Sequence, residues 1–122
     1  MNKFKLLSLL LLFISAEVYS GSKVFWVRGD AWRVFGEQNK LIYVSGVMDG
    51  LIAGKKENTA LHYKMNLSND TYIKGLNDLY KDYRNIKIPA FMLFDLVPRM
   101  VAGEEDKVIK QELIELRKDF SE

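Results

Sequence analysis

The chain has 122 residues, with 18 basic and 16 acidic side chains, one histidine and no cysteine. Without cysteine, disulfide bonds and thiolate chemistry are excluded. The near balance of charge provides no basic surface of the kind that binds nucleic acid or an anionic membrane surface, so we expect neither as a partner. A chain of this length makes a single domain.

The first twenty residues have the plan of a secretory signal peptide. Lys3 and Lys5 precede a strongly apolar run from Leu6 to Ile14, and a short, more polar stretch ends at Ser20. This run is too short to span a bilayer, which needs about 20 apolar residues. We therefore expect cleavage near Ser20, one domain over residues 21–122 in the periplasm or outside the cell, and no stable membrane insertion after cleavage.

Helical periodicity begins soon after this segment. Asp30 suits the N-cap of a short helix in which Trp32 and Phe35 share the inner face. The spacing next predicts a long helix from Glu37 to Lys56, which we expect to be the central helix of the fold. Its apolar face would consist of Leu41, Val44, Val47, Met48, Leu51 and Ile52.

A second amphipathic helix is predicted over residues 72–84. Ser68, Asn69 and Asp70 all suit its N-cap, and Asn85 suits a left-handed stop at its end. The face that we expect to be buried holds Tyr72, Ile73, Leu76, Leu79, Tyr80 and Tyr83, whereas Asp78 and Asp82 point to solvent with Lys74 and Lys81.

Two prolines and a glycine divide the remaining residues. Residues 86–88 should be extended before Pro89, which suits the first turn of a new helix. Pro98 should interrupt that helix, and Gly103 should close the segment. The last helix runs to about Asp119, with Lys110, Arg117 and Lys118 in solvent. Its buried stripe holds Ile109, Leu113, Leu116 and Phe120. The sequence thus predicts an all-α fold, a small bundle of four to five helices.

Three glycines of the long helix form a strip without side chains beside Tyr43. Gly46, Gly50 and Gly54 recur every four residues. Each weakens a helix by about 1 kcal/mol relative to alanine, so we expect another backbone to approach them closely. Packing within the chain is the favoured interpretation, and a homodimer seam or a ligand groove is the alternative. Such a groove would be lined by Tyr43, Gly46, Asp49, Gly50, Gly54 and Trp32.

Residues that could carry catalysis are few. His62 is the only histidine and lacks the context of a nucleophile and its base. With scattered acids it does not supply the three or four ligands of a zinc site, and no phosphate-binding glycine loop is present. We therefore expect no catalytic residue, no metal and no cofactor. An enzyme that acts on cell-wall material through Asp49 and a second carboxylate is the least favoured hypothesis.

Asp49 and the aromatic residues each have two interpretations. Inside the most apolar helix, Asp49 would form either a structural hydrogen bond or a polar anchor for a ligand or partner. The tyrosines of residues 72–84 favour packing at the rim of the core. Phe25, Trp26 and Trp32 could instead expose an aromatic patch that binds a partner.

A further pattern extends over most of the chain beyond the signal sequence. It consists of Trp32, the run from Lys40 to Gly50, the segment from Tyr80 to Pro89, Gly103, and the run from Leu113 to Arg117. This pattern resembles small exported helical proteins of bacteria and, more distantly, the Rap1a/Tai type of immunity proteins. The resemblance implies a small periplasmic helical domain, often dimeric, that blocks a cell-wall-cleaving effector. Proteins of that type usually carry a disulfide, for which this chain has no cysteine.

Together these features predict an exported, non-catalytic domain that binds a protein partner and could inhibit it as an immunity protein does. The alternative is a small-ligand carrier that uses a cleft beside Gly46 and Gly50. The sequence does not identify the partner or the oligomeric state.

Overall fold

The computed structural model describes residues 26–54 and 66–122. These residues form six α-helices and one 3-10 turn, with no strand among them. The elements are α1 (Gly29–Val34), α2 (Glu37–Gly54), α3 (Asn69–Lys81), the 3-10 turn (Tyr83–Asn85), α4 (Ala90–Leu93), α5 (Leu96–Val101) and α6 (Asp106–Asp119). The predicted small all-α bundle is confirmed. The predicted signal peptide, Phe25 and His62 lie outside the described residues.

Among the described elements the centre of the bundle is α3, so the prediction that α2 is the central helix is wrong for this part of the chain. The hydroxyl of Ser68 caps α3 by accepting from the backbone N–H of Thr71 at 3.2 Å. From there α3 contacts α1, α2, the 3-10 turn, α4 and α5. Its buried residues are Tyr72, Ile73, Leu76, Leu79 and Tyr80. Tyr83, predicted on the same face, is 69% exposed because α3 ends at Lys81, before the 3-10 turn.

The long helix α2 lies at one side of the bundle. Of its predicted apolar face, Val44 is fully buried, whereas Leu41 and Ile52 are exposed. Length explains the exposure of Ile52: the 18 residues of α2 span about 27 Å and the 13 residues of α3 about 20 Å. Asn69, the first residue of α3, donates to the Ser45 hydroxyl at 3.1 Å, so the part of α2 after Ser45 extends beyond its main partner. The remaining members of the face, Val47, Met48 and Leu51, are partly buried against the core.

Two other glycines make the close approaches. A Cβ atom on Gly75 in α3 would lie 2.7 Å from both Cγ atoms of Val97 in α5. A Cβ atom on Gly29 would lie 2.9 Å from the Cα atom of Ile86, and the N–H of Gly29 donates to the Ile86 carbonyl at 2.9 Å. These two positions set the distance between elements, because a side chain at either would meet its neighbour.

Asn85 is a buried connector and not a left-handed stop. It lies in the 3-10 turn, and its Nδ2 donates to the Leu79 carbonyl at 2.7 Å while its Oδ1 accepts from Nε of Arg117 at 2.8 Å. Arg117 is therefore partly buried, contrary to the prediction that it lies in solvent. Ile86 is also helical, with φ −59° and ψ −29°, so the expected extended segment before Pro89 is wrong at this residue.

The break in the predicted helix after Pro89 occurs at Phe94 and Asp95, four residues before the expected position. A proline ring clashes with the carbonyl four residues earlier, which for Pro98 belongs to Phe94. The chain therefore turns at Phe94, and Pro98 falls in the first turn of α5, where a backbone N–H needs no helical partner.

Gly103 closes α5 as predicted. Its φ is +81°, a conformation that glycine adopts without steric cost. The Gly103 N–H donates to the Met100 carbonyl and the Glu104 N–H to the Arg99 carbonyl, each at 3.1 Å, which is the Schellman pattern. Helix α6 follows and ends at Asp119, as predicted. It buries Ile109, Leu113 and Leu116 and places Phe120 against the core.

Candidate anion-binding pocket

An open pocket of about 280 Å³ lies between α1, α2 and α3. Three helices build it because α1 and α2 are joined by only two residues and both pack against α3. Three basic side chains, and no acidic one, are found in its described lining. The lining residues are Trp32, Arg33, Lys40, Asn77, Tyr80 and Lys81.

Lys40 is the most unusual residue of the pocket, because its side chain is only 9% exposed. Its ammonium donates to Oδ1 of Asn77 at 3.0 Å and lies 5.3 Å from the centroid of the Trp32 ring. Within residues 26–54 and 66–122, no carboxylate forms an ion pair with it. Burying a charge without a counter-ion costs free energy that a hydrogen bond and an aromatic face offset only in part.

Trp32 and Asn77 form the rigid floor of the pocket. Nε1 of Trp32 donates to Oδ1 of Asn77 at 2.9 Å, so this oxygen accepts from both Trp32 and Lys40. The ring of Trp32 packs against Tyr43, at 6.0 Å between centroids, and against Tyr80, at 6.5 Å. The floor is fixed by aromatic packing, so a ligand would meet it already formed.

Tyr43 and Tyr80 remain neutral at physiological pH. Burial raises the pKa of both hydroxyls, and the charge of Asp30 raises the pKa of Tyr80 further. The Tyr80 hydroxyl donates to the Ile88 carbonyl at 2.6 Å, away from the pocket. Tyr80 therefore contributes ring surface and no charge to the pocket, and Tyr43 supports the ring of Trp32.

The other two basic residues differ in how far they are neutralised. The Lys81 ammonium forms an ion pair with Asp78 at 2.9 Å and is largely exposed. The Arg33 guanidinium donates to the backbone carbonyl of Tyr80 and lies 5.3 Å from the Tyr83 ring centroid. A carbonyl carries no net charge, and neither does the Asn77 amide, so Arg33 and Lys40 each donate to a neutral acceptor at the pocket.

The structure brings only part of the predicted groove to this pocket. Trp32 lines it and Tyr43 packs against Trp32, but Gly46, Gly50 and Gly54 are exposed. A Cβ atom on Gly46 or Gly50 would meet no atom of residues 26–54 and 66–122 within 4 Å, so the expected close packing on these two is wrong for every element that the structure describes. The physical reason is the position of α2 at the side of the bundle. The homodimer seam and the ligand groove remain predictions.

Asp49 is exposed and forms no hydrogen bond with another described residue, so its interpretation as a structural hydrogen bond does not hold there. The predicted aromatic patch also changes in membership. Trp32 is buried, whereas Trp26 is exposed and packs edge-on against Phe91 and Phe120 at 5.8 and 5.9 Å. The described part of the patch is thus Trp26 with two aromatic residues from the C-terminal half.

No sequence motif marks Arg33, Lys40, Asn77 or Lys81 as site residues. A signal for Lys40 was present, since it precedes Val44 by four residues and therefore lies on the buried side of α2. A lysine in line with a core valine needs a special partner. Asn77 gave no such signal, because a polar residue on an amphipathic helix is expected to face solvent.

The pocket offers hydrogen-bond donors and positive charge, which suit an anionic group. No helix within residues 26–54 and 66–122 is long and apolar enough to cross a bilayer. In the same ranges no three His, Cys, Asp or Glu side chains are grouped closely enough to hold a metal ion. Comparisons with protein-family models, curated proteins and solved structures gave no match to this chain.

Proposed function

We propose that this chain is an exported, non-catalytic domain that binds a protein partner through the surface around the pocket. The observation that carries the proposal is the exposed set of residues around Arg33, which lines the pocket. Tyr83 is 69% exposed with the Arg33 guanidinium over its ring, and Val34, which follows Arg33 in the chain, is 81% exposed. Arginine and tyrosine are enriched at the energetic centres of protein interfaces. We call Arg33, Val34 and Tyr83 the rim surface.

Export is the second part of the proposal, and it rests on the basic and apolar pattern of residues 1–20. The full chain should appear in the periplasmic or extracellular fraction with a mass that corresponds to cleavage near Ser20. A chain that starts at Gly21 after an initiator methionine should stay in the cytoplasm. Recovery of the uncleaved full chain from the cytoplasm would contradict export.

Site-specific photo-cross-linking tests the partner surface. A photoreactive phenylalanine analogue at Val34 should give a discrete adduct with one protein in the native cells. The same analogue at Ile114, which is exposed on α6, is the matched control and should not give that adduct. Arg33→Glu in the Val34 chain should reduce the adduct, whereas Lys110→Glu should leave it. Absence of an adduct at Val34, or the same adducts from both positions, would contradict the proposal.

The resemblance to Rap1a/Tai-type immunity proteins supports a more specific partner. Under this hypothesis the partner is a cell-wall-cleaving effector that the chain inhibits. The purified protein should then block hydrolysis of cell-wall material by the cross-linked partner at equimolar ratio. The Arg33→Glu variant should block it less well. An unchanged hydrolysis rate would exclude the inhibitor role and leave the binding role standing.

A further inference from the structure

We propose that the pocket binds one carboxylate of the protein partner, from an aspartate or glutamate side chain, between the Lys40 ammonium and the Arg33 guanidinium. This inference rests on the proposed function, because the partner class there is a protein. It adds the chemistry of the central contact: one acidic side chain that enters the pocket while neighbouring residues of the partner cover the rim surface.

The charge of the pocket favours an anion. Lys40 is nine-tenths buried and has no carboxylate partner among the described residues. An anion in the pocket would supply a counter-ion, and the low local dielectric would strengthen the attraction. Arg33 adds a second positive charge at the same cavity. The pocket therefore favours an anionic group over a neutral or cationic one.

The hydrogen-bond donors of the pocket also favour a carboxylate. The Lys40 ammonium has three donors, of which Asn77 accepts one. The Arg33 guanidinium has five N–H groups and uses one nitrogen to donate to the Tyr80 carbonyl. Both basic groups thus keep donors for a ligand, while Oδ1 of Asn77 already accepts two hydrogen bonds. A group with only acceptors fits this set, and an ionised carboxylate is such a group.

The size of the pocket suits a single side chain. The pocket holds about 280 Å³, slightly less than the roughly 300 to 1,000 Å³ of sites for drug-sized ligands. A single side chain fits this space. The exposed Tyr83 and Val34 at the rim then meet the partner residues that flank the acidic side chain. Lys81 extends into solvent at the pocket and attracts an acidic surface during association.

The two tryptophans provide an internal reporter for the test. Nε1–H of Trp32 lies in the pocket floor, whereas Trp26 lies in the aromatic patch with Phe91 and Phe120. The chain contains no other tryptophan. The ¹H–¹⁵N spectrum of the exported protein should therefore show two indole signals, one inside the proposed site and one outside it.

The probe is N-acetyl-glutamate amide, and its matched control is N-acetyl-glutamine amide, which differs only in replacing the carboxylate by a neutral amide. At constant ionic strength, the glutamate probe should shift the Trp32 indole signal saturably, in the millimolar range expected of one small contact. The Trp26 signal should not move. Equal shifts with the glutamine probe, or no saturable shift, would overturn the proposal.

Variants assign the effect to the two basic residues. Lys40→Met should weaken binding of the glutamate probe at least tenfold, and Lys110→Met, at an exposed position of α6, should leave it unchanged. Arg33→Gln alters an exposed residue and serves if Lys40→Met fails to fold; it should weaken binding several-fold. Unaltered binding by a folded Lys40→Met or Arg33→Gln protein would overturn the proposal. Tighter binding of inorganic phosphate than of the glutamate probe would do the same.

Failure of this inference differs from failure of the proposed function. If the Val34 cross-link forms but the glutamate probe never shifts the Trp32 signal, the partner covers the rim surface without a carboxylate in the pocket. The carboxylate proposal is then wrong and the binding function stands. If neither the cross-link nor the shift is observed, both are wrong.

Discussion

Gly75 and Gly46 both lie inside helices, yet their surroundings differ. Gly75 faces Val97 so closely that no side chain fits, whereas no atom of the described ranges lies within 4 Å of a Cβ atom on Gly46. The first glycine therefore permits packing of α5 on α3. The second only lowers the helical propensity of α2.

Alanine at these two positions should act in opposite directions. Gly75→Ala should lower the free energy of unfolding by about 1–3 kcal/mol, because the new methyl group displaces the branched side chain of Val97. Gly46→Ala should raise it by about 0.5–1 kcal/mol, because alanine favours the helix. Urea unfolding followed by circular dichroism measures both. A change of the same sign in the two variants would show that the distance between α3 and α5 is not fixed at Gly75.

At the same scale, the burial of Lys40 is not what its residue type predicts. A lysine is expected to be solvated unless its position in the helix places it on a buried face. Lys40 lies on the same face of α2 as the buried Val44, four residues later. The burial of its ammonium depends on Trp32 and Asn77, which lie 45 residues apart in sequence. No local sequence pattern predicts that these three residues contact one another.

At the scale of elements, the ends of helices are set by a few local residues. Ser68 and Gly103 act at the predicted positions because capping depends on neighbours within one turn. The prediction of a left-handed stop at Asn85 is wrong because the role of this residue depends on a distant part of the chain. It is a common residue at helix ends, but here its side chain joins α3 to Arg117 of α6.

The Schellman pattern after α5 gives a prediction for this scale. Gly103→Ala should lower the free energy of unfolding by about 1–2 kcal/mol, because a Cβ atom is strained at positive φ. Gly50→Ala, at a position of α2 where no described atom lies within 4 Å of the new Cβ atom, is the matched control and should not destabilise the protein. Hydrogen exchange of the Glu104 amide, which donates to the Arg99 carbonyl, should become faster only in the first variant. Unchanged exchange would show that alanine tolerates this turn.

At the scale of the whole molecule, ion pairs connect α6 to the rest of the bundle. Asp82 pairs with Arg84 and, at 3.2 Å, with Arg117 of α6. Arg99 of α5 pairs with Glu104 and with Glu112 of α6. These contacts surround a core that includes the stacked rings of Tyr72 and Phe94, 4.2 Å apart. The packing of α6 should therefore depend on pH.

Hydrogen bonds from Arg84, with a smaller contribution from the charge of Arg117, lower the pKa of Asp82 to about 2. The ordinary value is about 3.9. A folded-state pKa below the unfolded value stabilises the protein above that unfolded value, and the stabilisation is lost as pH falls from about 4 to about 2. The free energy of unfolding should drop over this range. Lowered pKa values of Asp78 and Glu104 add to the drop.

The matched variants for this dependence are Arg84→Ala and Lys110→Ala. Without Arg84 the pKa of Asp82 should rise towards its ordinary value, so the loss of stability between pH 4 and pH 2 should become smaller. Lys110→Ala, at an exposed position of α6, should leave the dependence unchanged. Urea unfolding at each pH provides the measurement. An identical pH dependence in Arg84→Ala and in the unaltered protein would contradict the role of the Asp82 pair.

The sequence by itself determined the helical class, most helix positions, the caps at Ser68 and Gly103, and the buried stripe of α6. These follow from periodicity and from contacts within one turn. Only the tertiary structure decided that α3 is central, that Gly75 permits the closest packing, and that Lys40 lines a pocket with Arg33. Periodicity shows which face of a helix is apolar, but the partner of that face depends on the mutual packing of all the helices.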